Sequence, residues 1–262
     1  MAIGHVPVMS LRSRFNRGLG TLLVLLLPAT ALTAQGSGYL VVFGAGSAGV
    51  WGTEFTVSST IDQASTVILS RTPTQFCPPL ISCHTFVALP GRGTVVEQNA
   101  DVAGVGAVYI ATTDSLTAPS VLARAHAPSV PGLSVDLPVF RVATLLELDP
   151  QELVFPGARR GASGRSNLLV ANVADPNNFV GDSVDLEIRV FAENGNLLAQ
   201  GDVSLDYGNT KFITDVLGSL GVSELDNGEL TLTRIGGQGS FWGVMPISRA
   251  DGSLSISLGL AP

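Results

Sequence analysis

The chain has 262 residues, 45% of them hydrophobic, with 14 basic side chains against 21 acidic ones and a net charge of -7. That length supports one large domain or two small ones, each with its own core. The acidic balance and a single lysine, Lys211, repel a phosphate backbone, so no nucleic-acid partner is expected.

In chain order, residues 1–34 read as a secretory signal peptide. Arg12, Arg14 and Arg17 precede the apolar run Leu19 to Leu27, and Pro28 to Ala34 supply small residues for cleavage after Ala31 or Ala34. The apolar run is shorter than the ~18 residues that a membrane span needs. The mature protein is therefore expected to be secreted or periplasmic and free of the membrane. Removing the leader takes away three arginines and no acid, which leaves a net charge of -10.

Residues 40 to 52, "LVVFGAGSAGVWG", place Gly44, Gly46 and Gly49 in G-x-G-x-x-G spacing after an apolar run. About twenty residues on, "TVILSR" ends in an arginine suited to a 2′-phosphate, so the dinucleotide-binding reading has to be weighed. That motif must open a helix facing the pyrophosphate. The next residues, "VWGTEFTVSST", are instead rich in β-branched and hydroxyl side chains that disfavour helix. The glycines are read as a flexible connection between two strands, and no cofactor is expected.

Cys77 and Cys83 frame "CPPLISC", and in an exported chain they are expected to form a disulfide. A metal site from the two cysteines and His84 lacks a fourth ligand.

The chain then repeats itself. "GVWGTEFTVSS" (49–59) aligns with "SGRSNLLVANV" (163–173), setting Phe55 on Leu168, Val57 on Val170 and Ser59 on Asn172. Later, 86–93 answers 202–209, 106–113 answers 228–235, and 120–127 answers 240–247, Ser120 falling on Ser240. The reading is a duplication with domains at 35–143 and 144–262, joined by a proline-rich linker.

Each copy alternates apolar and polar residues at period two, as in "DLEIRVF" and "SLSISLGL", the signature of half-buried antiparallel strands. Asn194-Gly195 predicts a two-residue hairpin turn. Phe212, Val216, Leu217 and Leu220 predict one or two helical turns, with Gly221 as the cap. The expected fold is all-β: two tandem antiparallel β-sandwich domains after a signal peptide.

Candidate sites are sparse. Trp51 and Trp242 could form a sugar-stacking platform or serve as core anchors. Arg159, Arg160 and Arg165 could present a ligand surface or solvate a loop. His84 and His126 lack a G-x-S-x-G partner motif, and Glu54, Glu97, Asp101 and Asp114 offer no evident glycosidase pair. The loop holding Asp175, Asn177, Asn178, Asp182 and Asp185 carries calcium-type oxygens without an EF-hand pattern, so turn chemistry is expected and no metal.

The stretch "FPGARRGASGRSNLLVANV", the hairpin around "FAENGNLLAQGDVSLDYGNTKFITDVL" and "GSFWGVMPISRADGS" resemble uncharacterised secreted bacterial proteins with tandem immunoglobulin-like β-sandwich repeats. The resemblance covers Leu153 to Leu258 well and Tyr39 to Val139 weakly. It implies an immunoglobulin-like fold outside the cytoplasm and carries over no catalytic residue. The expected function is a non-enzymatic binding, adhesion or structural module, partnered by a glycan or an envelope or extracellular protein. The alternative is a secreted enzyme, glycosidase-like or an oxidoreductase using the GAGSAG loop.

Overall fold

A computed structural model describes residues 38–47, 51–71, 84–98, 104–112, 118–127, 133–175 and 181–262. The expected leader, Gly49, the Cys77 and Cys83 pair, Asp101, Asp114, Asn177 and Asn178 lie outside the described residues. Period-two patterning yields antiparallel strands throughout. The first repeat contains β1 (Leu40–Ser47), β2 (Gly52–Ser58), β3 (Ser65–Ser70), β4 (His84–Leu89), β5 (Thr94–Gln98), β6 (Gly104–Thr112), β7 (Ser120–His126) and β8 (Ser134–Leu137). A short strand β9 (Val139–Arg141) and a helix α1 (Val142–Leu148) lead into the second. There the chain forms β10 (Glu152–Gly161), β11 (Gly164–Ser166), β12 (Leu168–Asn172), β13 (Val184–Ala192), β14 (Leu197–Leu205) and β15 (Thr210–Ile213). It closes with α2 (Val216–Ser219), β16 (Leu225–Gly237), β17 (Phe241–Arg249) and β18 (Leu254–Leu258).

The first repeat stacks the sheet β4-β3-β6-β1, extended by β9, on the sheet β5-β2-β7-β8. The second repeats both orders, as β14-β13-β16-β10 and β15-β12-β17-β18. Of the second repeat's strands only β11 has no counterpart among the described residues, and by pairing with both β10 and β17 it joins the two sheets. The duplication extends to register. Val41 pairs with Tyr109 as Val154 pairs with Thr231, and Thr56 pairs with Val96 as Leu169 pairs with Phe212.

In β7 the pairing departs from the expected alignment. Ser58 faces Ser120 while Ala171 faces Trp242, so Ser120 answers Trp242 and not Ser240. A slip of two residues keeps each side chain on its own face of the sheet, which is why the pattern still aligns. An immunoglobulin sandwich keeps its first two strands in one sheet. Here β1 and β2 lie in opposite sheets, so these repeats have a different strand order.

The strands of each repeat pair within that repeat, yet residues 35–262 form one compact unit, and the expected boundary at 143/144 falls inside α1. Leu40, Val42, Val108 and Ile110 fill the first sandwich. Val41, Phe43, Ala107 and Tyr109 point the other way and join Leu169, Ala171, Trp242 and Val244 of the second repeat in one core. Phe140 bridges them edge-on, its ring 5.9 Å from Phe43 and 5.7 Å from Trp242. The buried Tyr109 hydroxyl accepts a 3.2 Å hydrogen bond from the Ala174 amide. Two inner layers are therefore buried on both faces, and their strands are apolar at consecutive positions, as in Ala107 to Ala111 and Leu168 to Ala171.

Three local elements depart from expectation. The β13–β14 turn holds Glu193, Asn194 and Gly195, with Gly195 donating to Ala192 and Ala192 to Asn196. Only Gly195 has positive φ, at 81°, so this is a type I turn with a glycine bulge and not a two-residue turn. Phe212 belongs to β15, and the helix is the single turn α2. Gly221 does cap it: Val222 donates to Leu217 and Gly221 to Gly218, the Schellman pattern. Helix α1 stands where a linker is expected. It buries Val142 and Leu145, and its cap Asp149 pairs with Arg234 at 2.5 Å, whose guanidinium lies over Phe241.

Candidate functional site

The glycines of "GAGSAG" that are described, Gly44 and Gly46, lie within β1, not in a loose connection. Against β6 the register shifts between Phe43 and Ala45, a bulge that Gly44 accommodates at φ 83°. Gly46, at φ 130°, receives both bonds of Thr53: its amide donates to Oγ1 at 2.8 Å and its carbonyl accepts from Oγ1 at 3.0 Å. A β-carbon on Gly46 or Gly106 would collide with the Arg71 guanidinium, which donates to the Gly104 carbonyl. Burial lowers the Arg71 pKa to about 10, which leaves it charged at neutral pH. These glycines make room for an arginine and a bulge, and β2 rather than a pyrophosphate-facing helix comes next in the chain.

That bulge forms one wall of a cleft of about 410 Å³ between the two repeats. Trp51, Thr53 and Leu137 line it from the first repeat. Arg165, Asn167, Phe212, Ser248 and Ile256 line it from the second. Trp51 is half-buried there. Trp242 is 6% exposed and packs on Phe140, so the two tryptophans do not form a platform. The cleft opens beside a shallower hollow of about 520 Å³ lined by Arg160, Arg165, Asp215, Ser248 and Arg249. Arg165 and Ser248 belong to both.

The expected arginine group divides by role. Arg159 is half-buried, and its amide donates to Ser166 Oγ at 2.9 Å. Arg160 meets both Asp215 oxygens at 3.0 Å and donates to the Val222 and Ser223 carbonyls at 3.0 and 2.7 Å, tying β10 to the end of α2. Arg165 sits opposite Arg160 across β10 and β11 and is exposed at the mouth of the cleft. Asn167 Oδ1 accepts from the Asp215 amide at 3.0 Å, linking the hollow to the cleft floor.

The remaining candidates do not converge. Glu54 pairs with Gln98 and Glu97 with Phe55, so the two carboxylates lie on opposite faces of one sheet. His126 ends β7, half-buried. Among the described residues no three His, Cys, Asp or Glu side chains gather to hold a cation, and no helix is long and apolar enough to cross a membrane. Sequence reasoning missed Phe212, Asn167 and Ser248 as cleft residues. Strand alternation at Leu169 and Val244, traced across the repeat, places them on the same outer face.

No protein-family model and no curated protein sequence matches the chain. Among solved structures, it aligns with two crystal structures of a glycosyl hydrolase family 2 member from Bacteroides cellulosilyticus. Identity is 10% in both, 84% of this chain is covered, and the TM-scores are 0.21 and 0.20. The chain spans about a quarter of those chains, 28% and 26% of their length. It also aligns with the lectin from Pleurotus ostreatus, crystallised in complex with GalNAc, at 10% identity. There 85% of this chain and 76% of the lectin are covered, with a TM-score of 0.16. At these scores the alignments carry no argument about function.

Proposed function

We propose that the chain is an exported, non-enzymatic binding module whose ligand lodges in the cleft between its two β-sandwich repeats. One observation carries this reading: Trp51 of one repeat and Phe212 and Arg165 of the other face a single cleft of about 410 Å³. Sites for small molecules fall in this size range, and they combine apolar walls with a few placed polar groups, favouring the seams between packed units. The described lining supplies an indole, a phenyl ring, alkyl groups, an amide, hydroxyls and one guanidinium. Such a set recognises a molecule; it pairs no nucleophile with a base. Export rests on the charged, apolar and small-residue order of residues 1–34.

A glycan laid on Trp51 is the second reading, favoured by the half-buried indole beside the Thr214 and Ser248 hydroxyls. The test uses 1-aminoanthracene, a neutral apolar fluorophore, on the mature protein. Saturable one-to-one binding with a blue-shifted emission is expected, abolished by Thr214→Phe, which blocks the cleft from an exposed position. Displacement of the probe by neutral oligosaccharides would favour the glycan. Absence of saturable binding, or binding indifferent to Thr214→Phe, would remove the cleft as the ligand site.

A further inference from the structure

We infer that the ligand of the junction cleft is an amphiphilic carboxylate, with an apolar body between Trp51 and Phe212 and its anionic head on the Arg165 guanidinium. This rests on the cleft being a ligand site at all, as proposed above. The first support is an uncompensated charge. Arg160 and Arg165 lie directly opposite each other across β10 and β11, and like charges in that position repel. Asp215 neutralises Arg160 through Nε, and the Val222 and Ser223 carbonyls accept from its Nη1. Arg165 has no acidic partner among the described residues.

The second support is position. Arg165 and its cross-strand neighbour Ser248 stand where the apolar cleft meets the arginine-lined hollow, so a molecule with an apolar end and an acidic end matches both. Asn167 lies beside them, its Nδ2 held only by long bonds of 3.5 Å to the Pro246 carbonyl and 3.4 Å to Ser248 Oγ. Both bonds are at the long end of the hydrogen-bond range, so a ligand acceptor can compete for that donor.

The third support is what the chain keeps away. It carries 21 acidic residues, yet no carboxylate lines the cleft among the described residues. A guanidinium fork holds a carboxylate through two parallel hydrogen bonds, which fixes the orientation of the head as well as its charge.

The experiment compares two probes with the same ring system, neutral 1-aminoanthracene and anionic anthracene-1-carboxylate, on the mature protein at pH 7. The carboxylate is expected to bind about 10-fold more tightly. Arg165→Gln should remove that advantage, and a wild-type far-UV circular dichroism spectrum and urea midpoint show that the variant folds. Arg165→Lys should restore part of it, since the charge returns without the fork. Equal affinities of the two probes for the wild type, or an anion preference that survives Arg165→Gln, would overturn the inference and leave the cleft standing as a neutral site. Failure of both probes to bind would overturn the cleft reading and this inference with it.

Discussion

Asn172 shows how one side chain can hold two sheets together. It is fully buried at the end of β12, and its Nδ2 donates to the Asp182 carbonyl at 2.9 Å and the Leu205 carbonyl at 3.3 Å. The aligned residue in the first repeat, Ser59, bonds through its hydroxyl to Ile61, two positions on. Asn172→Ala should therefore cost roughly 1–3 kcal/mol, because it strips one buried and one part-buried carbonyl of their donor; urea denaturation reads this directly, and a loss below about 0.5 kcal/mol would contradict it. Tyr109, at the seam between repeats, adds a pH dependence. Burial pushes its pKa up to about 12 from an ordinary 10, so the phenol stays neutral in the folded state while the unfolded chain ionises. The folded state then binds more protons, and the stabilisation is fully present below pH 10 and lost as pH rises towards 12, roughly 2–3 kcal/mol in all. Arg71, lowered to about 10, acts in the opposite sense above that pH. The difference between wild type and Tyr109→Phe isolates the tyrosine: the variant should lose less stability between pH 9 and 11. Parallel curves for the two proteins would contradict the account.

At the level of elements, alternation is legible in the sequence and local turns are not. "DLEIRVF" forms the heart of β13 (Val184–Ala192) because Leu186, Ile188 and Val190 all face one core. The turn after it is ambiguous because Asn-Gly satisfies two geometries, and only the φ of the asparagine separates them. Gly195→Ala should cost about 1 kcal/mol, and Asn194→Ala less than half of that; comparable costs at both positions would point to the two-residue turn instead. Helix α1 lies between Pro138 and Pro150, where prolines mimic a linker, and it is anchored by a tertiary ion pair with Arg234 that no local pattern announces. The spacing of Phe212 to Val216 fits a helix. Its backbone instead pairs with Leu169, and that pairing delivers the ring to the cleft. The cleft itself is illegible in the sequence, since it exists only where outer faces of two repeats meet.

At the largest scale, the described residues of 35–262 stack in four layers of strands, of which the middle two are buried on both sides. Equivalent positions explain why the stack ends where it does. Phe43 and Ala107 at the seam correspond to exposed Pro156 and Glu229 on the free face of the second repeat. Leu169 and Ala171 correspond to Thr56 and Ser58 on the free face of the first. Repeat arrays close themselves with such polar outer faces. Because one hydrophobic core contains Val41, Phe43 and Tyr109 together with Trp242 and Val244, residues 35–262 should unfold in one calorimetric transition; two separable transitions would mean that the repeats are independent. On the function proposed above, the seam is also the ligand site. A crystal structure of the mature protein with anthracene-1-carboxylate tests it most directly. The ring is expected between Trp51 and Phe212, with the carboxylate on Arg165. A ring bound elsewhere, or a carboxylate turned away from Arg165, would contradict it.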